Sequence, residues 1–262
     1  MTTGLIQAAA LGLQPLSAPT AAGWQAYVSA TEARVARQGG QALTAPESVN
    51  RGQVLIERVQ MPGPSGEMEV PDALVMHWRG VILIPGARLD DVMSRLEREP
   101  ADTRQQDVLA STVLGRGPGW LRMSLRVHRS LVLSAVFDTV HETTFRHHSP
   151  TRASSQSTAT KIVEIDHVGT PREREKRPDE DRGLLWRWHA YWRYEQVERG
   201  VLVECESVTL SRELPTLLKP IAKPLVNGLA KGSMERTLTG LRVRFRVPAF
   251  PLPAEPARTS GG

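Results

Sequence analysis

The sequence predicts an α+β fold, in which helices cover one face of a single curved antiparallel sheet. The first observation is that apolar residues recur at every second position from Gln105 to Arg212, as they do in half-buried strands. The second is that connections in this region, such as GRGPG and SPTR, are short, which is typical of antiparallel neighbours. The third is that apolar residues recur at helical spacing on both sides of the region.

The first twenty residues, MTTGLIQAAALGLQPLSAPT, are mostly small and apolar, contain no Lys or Arg, and are interrupted by Gln7, Gln14 and Pro15. A secretory signal normally has a basic start and an unbroken apolar stretch. We therefore predict a disordered leader over residues 1–20, with a degenerate or truncated signal peptide as the alternative. The first interpretation favours a cytoplasmic protein, and the second a periplasmic or secreted one.

A single domain is predicted over residues 21–247, followed by a proline-rich, disordered tail over residues 248–262. A helix at 23–38 opens the domain, because apolar residues there have helical spacing and two glycines follow as a stop signal. The next predicted elements are a short strand within 53–60, an alternating strand at 74–84 and a helix at 89–96. The chain has one cysteine, Cys205, which excludes an intrachain disulfide.

The antiparallel region ends in a predicted hairpin over residues 184–212, and a long helix follows from Val226. One side of that helix carries four apolar residues, Met234, Leu238, Leu241 and Phe245. The prolines at 215, 220 and 224 are expected to fragment the chain before it.

An aromatic stripe at the start of the hairpin, in LLWRWHAYWRYE, is the strongest candidate for a binding surface. Trp186, Trp188, Trp192 and Tyr194 share one parity and are expected to lie on one face of a strand. So large an apolar area must be buried, but it can be either ordinary core or the wall of a cavity. Both interpretations stay open at this point.

The register of the hairpin decides whether carboxylates join the aromatic face. A turn at Arg199–Gly200 sets Trp192 opposite Ser207, whereas a turn of three residues sets Trp192 opposite Glu206 and Tyr194 opposite Glu204. We favour the first register because it pairs Arg193 with Glu206. In the second register, the buried carboxylates would have raised pKa values and could act as acids.

His141 shares its parity with Phe137 and Phe145, which makes it the best candidate for a polar group that faces a cavity. A histidine in an apolar row is otherwise an ordinary core residue. The segment HETTF begins like a zinc-protease motif, but Phe145 stands where the second histidine is required. We expect no metal site, no cofactor and no catalytic residues.

Positive charge is concentrated near the C-terminus. The net charge is +5, and the seven basic residues and one acidic residue between Lys219 and Arg246 give +6 there, which leaves −1 for the rest. A solvated helix face is the first interpretation, and contact of Arg242, Arg244 and Arg246 with an anionic membrane surface is the second. Nucleic acid is disfavoured, because no aromatic residues alternate with these arginines.

Three segments carry a resemblance to a known superfamily: GVILIPGARLDDVMSRLE, YWRYEQVERGVLVECESVTLSRELP and KGSMERTLTGLR. Over roughly residues 50–246 the chain resembles the START and Bet v 1-like superfamily, also called SRPBCC or helix-grip proteins, and especially an uncharacterised bacterial branch of it. The resemblance implies an apolar cavity between a curved sheet and the long C-terminal helix. It carries over no catalytic residues.

These observations predict a helix-grip protein that binds a hydrophobic or amphipathic small molecule, such as a lipid, without changing it chemically. The predicted ligand-binding residues are Phe137, His141, Phe145, Trp186, Trp188, Trp192, Tyr194, Met234, Leu238 and Leu241. One alternative is a cyclase or aromatase that uses His141 with Glu204 or Glu206 as proton donors. Another is a protein with a filled core that acts at a membrane surface or on a partner through its basic C-terminal helix.

Overall fold

The computed structural model describes residues 12–39, 41–63, 66–99, 107–130, 134–213 and 219–245. The helices are α1 (Ala18–Gln38), α2 (Glu47–Asn50), α3 (Leu89–Leu96) and α4 (Lys219–Phe245), with a 3-10 turn at Pro178–Glu180. The strands are β1 (Leu55–Arg58), β2 (Pro62–Gly63), β3 (Gly66–Glu67), β4 (Ala73–Pro85), β5 (Val108–Gly117), β6 (Trp120–Ser130), β7 (Ser134–Ser149), β8 (Arg152–Asp166), β9 (Arg174–Glu175), β10 (Arg187–Val197) and β11 (Gly200–Arg212). Among these residues, no helix is long and apolar enough to cross a membrane.

One antiparallel sheet of nine strands dominates the molecule. Its order is β1-β4-β11-β10-β8-β7-β6-β5, and β9 pairs with β8. Helices α3 and α4 pack on one face, called the inner face below, so the predicted α+β helix-grip arrangement is confirmed.

The opposite face of the sheet, called the outer face below, is also covered by helices. Helix α1 packs there against Tyr191 and Val208, and α2 packs against Val81 and Leu83. The expectation that helices cover one face was therefore wrong. The physical reason is that the outer parity of β4 and β11 also carries apolar residues, including Val81, Leu83, Val208 and Leu210, which must be buried.

Helix α1 begins at Ala18, earlier than the predicted residue 23. The hydroxyl of Ser17 accepts a hydrogen bond from the backbone N–H of Thr20 at 3.3 Å and so caps the helix. Before it, the carbonyl of Gly12 accepts a hydrogen bond of 2.8 Å from Ile162. Residues 12–20, expected in a disordered leader, therefore have defined contacts, and residues 1–11 lie outside the described part of the chain, as does the predicted tail at 248–262.

Helix α4 is continuous from Lys219, although we expected prolines to fragment the chain up to Val226. Pro220 occupies the first turn, where the missing N–H has no intrahelical acceptor to lose, whereas Pro224 lies in the second turn and leaves the carbonyl of Pro220 without its helical donor. Pro215 lies outside the described residues. The helix lies close to β4 at Gly80, where a Cβ atom would collide with the Leu238 side chain and come within 3.1 Å of Met234 Cγ. The absence of a side chain at Gly80 thus lets α4 approach the sheet.

The β10–β11 hairpin adopts a register that we did not predict. Its two turn residues are Glu198 and Arg199, so that Trp192 pairs with Cys205 and Arg193 pairs with Glu204. Both predicted registers were wrong, because each placed Gly200 inside the turn instead of at the first position of β11.

Candidate functional site: a cavity between the sheet and the C-terminal helix

A cavity with two lobes lies between the inner face of the sheet and α4. The larger lobe has a volume of about 210 Å³ and the smaller lobe about 120 Å³. The lobes share a wall that includes Arg129, Trp188, Ala190 and Trp192. Because a dry protein cavity of about 150 Å³ holds benzene, the larger lobe has room for a ring-sized apolar group.

Alternation along β10 creates the shared wall. Trp188, Ala190, Trp192 and Tyr194 are on the inner face, where Trp192 and Tyr194 stack with ring centroids 6.4 Å apart. The small Ala190 stands between two tryptophans, and the space that a larger side chain would fill belongs to both lobes. The small side chain of Ala190 in this aromatic row therefore contributes space to both lobes.

A row of hydroxyl groups forms part of the floor of the larger lobe. Thr143 donates to the hydroxyl of Ser157 at 3.0 Å, and the hydroxyls of Ser155 and Tyr194 are 3.3 Å apart. The serines come from SSQSTAT, which lies inside β8 and was not recognised as part of the site. Their inward parity is the signal that could have identified them, since alternate positions of a strand face the same side.

His141 lines the larger lobe, and only 5% of its surface is exposed. Its Nε2 lies 3.1 Å from the Thr139 hydroxyl, and its ring stands edge-on to Trp188 at 4.8 Å between centroids. Burial, with a further contribution from the charge of Arg129, lowers the pKa of His141 to about 3. The imidazole is therefore neutral near pH 7, which suits a hydrogen-bonding group better than a proton donor.

A charged cluster joins the sheet to α4 beside both lobes. Arg236 donates to Asp107 through Nε at 3.0 Å and Nη2 at 3.1 Å, and the hydroxyl of Ser233 donates to Asp107 at 2.9 Å. Arg129 Nη1 donates to the Ser233 hydroxyl at 2.6 Å. Sequence reasoning missed Arg129, although it continues the inward parity of the apolar residues of β6 from Leu121 to Val127.

Seven of the ten predicted ligand-binding residues come together at the cavity. The smaller lobe is lined by Met234, the larger one by His141, Phe145, Tyr194 and Leu241, and both by Trp188 and Trp192. Whether these residues bind a ligand stays a prediction.

The other three predicted residues are placed elsewhere. Phe137 is fully buried in a separate core cluster with Val127, and Leu238 is fully buried against Gly80. Trp186 packs in the cluster of α1, and its indole N–H donates to Asp181 at 3.2 Å. Its expected place on the inner face was wrong, because β10 begins at Arg187 and the alternation does not extend to Trp186.

Glu204 and Glu206 are on the outer face, so they cannot act together with His141 as the cyclase alternative requires. Glu206 lies 2.6 Å from Nε2 of His77 and is paired with Arg34 of α1. Glu204 accepts a hydrogen bond of 3.0 Å from Arg193. The one-residue difference in register moved both carboxylates away from the aromatic row.

The arginines predicted to contact a membrane are held by acceptors within the protein. Arg242 donates to the carbonyls of Leu83 and Gly52 at 3.1 and 2.7 Å, and Arg244 donates to Glu99 at 2.9 Å. Arg246 lies outside the described residues. The described part of α4 therefore does not present Arg242 and Arg244 as a free basic surface.

Other reactive groups are few within the described ranges. No three His, Cys, Asp or Glu side chains there are grouped as a metal site requires. Cys205 lines the smaller lobe, where burial raises the pKa of its thiol. The thiol is therefore protonated and a weak nucleophile.

No protein-family model matches the chain, and no curated protein matches it. Its fold is similar to three solved structures, among others. A STAR-related lipid transfer protein from Xanthomonas axonopodis is 18% identical with a TM-score of 0.46, over 72% of this chain and 99% of that one. Human STARD10 is 10% identical with a TM-score of 0.45, over 79% and 77%.

The Zhui aromatase/cyclase from Streptomyces sp. R1128 is 9% identical with a TM-score of 0.36, over 65% of this chain and 93% of that one. START-related proteins are thus among the solved structures to which the fold is similar. At these identities and TM-scores, the similarity assigns neither a ligand nor an activity to this chain.

Proposed function

We propose that this protein binds a hydrophobic or amphipathic small molecule, such as a lipid, in the two-lobed cavity and carries it without chemical change. The observation that supports the proposal is the space at Ala190 between Trp188 and Trp192, which the side chains of α4 do not fill. Aromatic walls with a few convergent polar groups are typical of small-molecule sites.

Apolar burial supplies the affinity. A ligand that buries roughly 200 Å² of apolar surface gains about 5 kcal/mol from the hydrophobic effect, before the cost of its immobilisation. The hydroxyl row and the neutral His141 provide hydrogen bonds to polar atoms of the ligand. They set its orientation more than its affinity, because a hydrogen bond formed in place of one to water contributes about 1 kcal/mol.

The state of the ionisable groups supports binding without catalysis. His141 is held neutral, the Cys205 thiol stays protonated, and Glu204 and Glu206 face away from the cavity. None of these four groups is therefore both charged and directed at a bound ligand.

Native mass spectrometry of protein purified without detergent, followed by organic extraction, tests the proposal directly. We expect an apolar molecule to co-purify, or dodecan-1-ol to bind when it is added, with a change in tryptophan fluorescence. An apo mass together with no uptake of dodecan-1-ol by the folded protein would contradict the proposal.

Matched variants test whether the ligand binds in the cavity. Ala190→Leu adds a side chain to the wall that both lobes share and should abolish the uptake of dodecan-1-ol. Thr144→Leu adds the same side chain at an exposed outer-face position of β7 and should leave uptake unchanged. Equal uptake by the two variants would place the binding elsewhere.

A further inference from the structure

The charged cluster beside the cavity holds more positive than negative charge. It contains two guanidinium groups, Arg129 and Arg236, and one carboxylate, Asp107, so its net charge is +1. Arg236 uses both oxygens of Asp107, whereas Arg129 approaches that carboxylate only to 3.7 Å, beyond hydrogen-bond distance. The excess charge is therefore located at Arg129.

The charge at Arg129 is partly removed from water. Its side chain is 21% exposed, compared with 40% for that of Arg236, and it lines both lobes of the cavity. Burial lowers the pKa of the Arg129 guanidinium, as does the neighbouring Arg236, whereas Asp107 raises it. Arginine nevertheless stays protonated in proteins, so the site carries a charge with too few counter-charges.

Other charged groups around the larger lobe do not compensate Arg129. His141 is neutral, and Glu99 already accepts hydrogen bonds from Arg95 and Arg244. Across the described residues, the Ser233 hydroxyl is the one hydrogen-bond acceptor of Arg129. Since a guanidinium has five N–H donors, Arg129 can still bind oxygen atoms of a ligand.

Trp188 fixes the guanidinium in place. The central carbon of the Arg129 guanidinium lies 4.5 Å from the centroid of the Trp188 ring, and Trp188 itself lines both lobes. A cation–π contact of this kind orients the group without using its N–H donors. The N–H donors thus remain available for the oxygen atoms of a charged ligand.

We propose that the ligand is an anionic amphiphile, whose carboxylate or phosphate oxygens bind Arg129 while its apolar part occupies the aromatic-walled lobes. This inference rests on the proposed function and adds the class of ligand to it. A carboxylate and a phosphate can each accept two parallel hydrogen bonds from an arginine guanidinium. The attraction between the charges is stronger where water is partly excluded. A cavity with an apolar wall and no charged group would bind a neutral lipid as well as an anionic one.

The test compares three probes that have the same chain and different head groups: dodecanoate, dodecyl phosphate and dodecan-1-ol. Their affinities are measured by calorimetry on the full chain below their micellar concentrations, with inorganic phosphate as a further probe. We expect the two anions to bind about tenfold to a hundredfold more tightly than the alcohol, as charge-assisted hydrogen bonds predict. Dodecanoate and dodecyl phosphate then distinguish a fatty-acid head from a phosphate head, and binding of inorganic phosphate alone would indicate a free anion.

Three variants test whether the preference for anions over the alcohol comes from this cluster. Arg129→Gln should abolish it, whereas Arg126→Gln, on the outer face of the same strand, should leave it unchanged although the net charge falls equally. Asp107→Asn removes the one carboxylate and should increase the affinity for dodecanoate about twofold to fivefold. A misfolded variant cannot produce such a gain, so the test does not depend on the stability of Arg129→Gln.

Three outcomes overturn the inference, and they differ in whether the proposed function survives. Equal affinity of the wild-type protein for the alcohol and the anions would refute the anionic ligand and leave the proposed function standing. An equal loss of affinity for all three probes would do the same in an Arg129→Gln variant that unfolds in urea like the wild type. Failure of all three probes to bind would refute the proposed function and this inference together.

Discussion

Replacement of Ala190 by leucine tests whether the space beside it is empty in solution. Ala190 is half-buried in the wall that both lobes share. Leucine adds three carbon atoms, and at about 0.8 kcal/mol for each buried CH₂ they contribute up to about 2 kcal/mol. The lost rotamer freedom of leucine costs about 0.5–1 kcal/mol, so the folded state should gain about 1 kcal/mol.

Ala153 is the matched control for this substitution. It lies on the inner face of the adjacent strand β8, is 3% exposed, and belongs to the hydrophobic core outside the cavity. The same added atoms have no space there, so Ala153→Leu should cost about 1–3 kcal/mol through overpacking. The two variants are thus expected to differ by about 2–4 kcal/mol in free energy of unfolding.

Urea denaturation, followed by tryptophan fluorescence and extrapolated linearly to water, measures both values. An unchanged slope with urea concentration is required, because a change would indicate a different denatured state. A loss of stability in Ala190→Leu as large as that in Ala153→Leu would show that the wall is filled core, and the reasoning about the cavity would then fail.

Three further predictions concern stability. Gly80→Ala should lower the free energy of unfolding by about 1–3 kcal/mol, because the added Cβ atom pushes α4 away from β4. A double-mutant cycle measured by urea denaturation should show a smaller decrease when Leu238 is also replaced by alanine. The pKa of His141 is about 3 in the folded protein and about 6.5 in the unfolded chain, so the unfolded chain binds more protons between these pH values. The free energy of unfolding should therefore fall as the pH is lowered from 6.5, by about 2 kcal/mol at pH 5. Thermal unfolding of His141→Gln should lack this part of the pH dependence. Glu206→Ala should cost about 3 kcal/mol, because His77 beneath α1 loses its buried partner; equal stability of this variant and the wild type would exclude a structural role for the pair.

Much of the fold was predictable because it depends on the identity of alternating residues. The even positions of β4 from 74 to 84 and of β10 from 188 to 194 are apolar or aromatic, and they reach the inner face as expected. The apolar stripe of α4 was equally clear, since Met234, Leu238 and Phe245 are all buried. Such patterns survive small errors in element boundaries.

The features that the sequence did not reveal depend on where alternation starts and stops. Trp186 has the parity of Trp188, but its position before the first residue of β10 places it in the cluster of α1. The turn at Glu198–Arg199 leaves the glutamates of β11 on the outer face, as the favoured register did, but it pairs Trp192 with Cys205 instead of Ser207. Neither boundary is marked by a proline or by a strong turn sequence.

Arg129 shows a different reason why part of the site could not be predicted from the sequence. Its parity indicated the inner face, but a charged residue in an apolar row is usually assigned to the end of a strand, where it reaches water. Its partners come from two other elements: Ser233 meets it because α4 crosses the sheet, and Asp107 because the start of β5 lies beside the end of β6. Tertiary contacts of this kind leave no local pattern.

Apolar packing holds one long side of α4 to the sheet, and hydrogen bonds and ion pairs hold the other. This difference affects how a ligand enters the cavity. On the side of β4, separation would expose Leu238 and Met234 to water, at about 25 cal/mol per Å² of apolar surface. On the side of β5, separation would exchange the hydrogen bonds of Asp107 for bonds with water, which costs little. We therefore expect α4 to separate from the sheet more readily beside β5 than beside β4, and entry of a neutral ligand should become faster as ionic strength weakens the ion pairs.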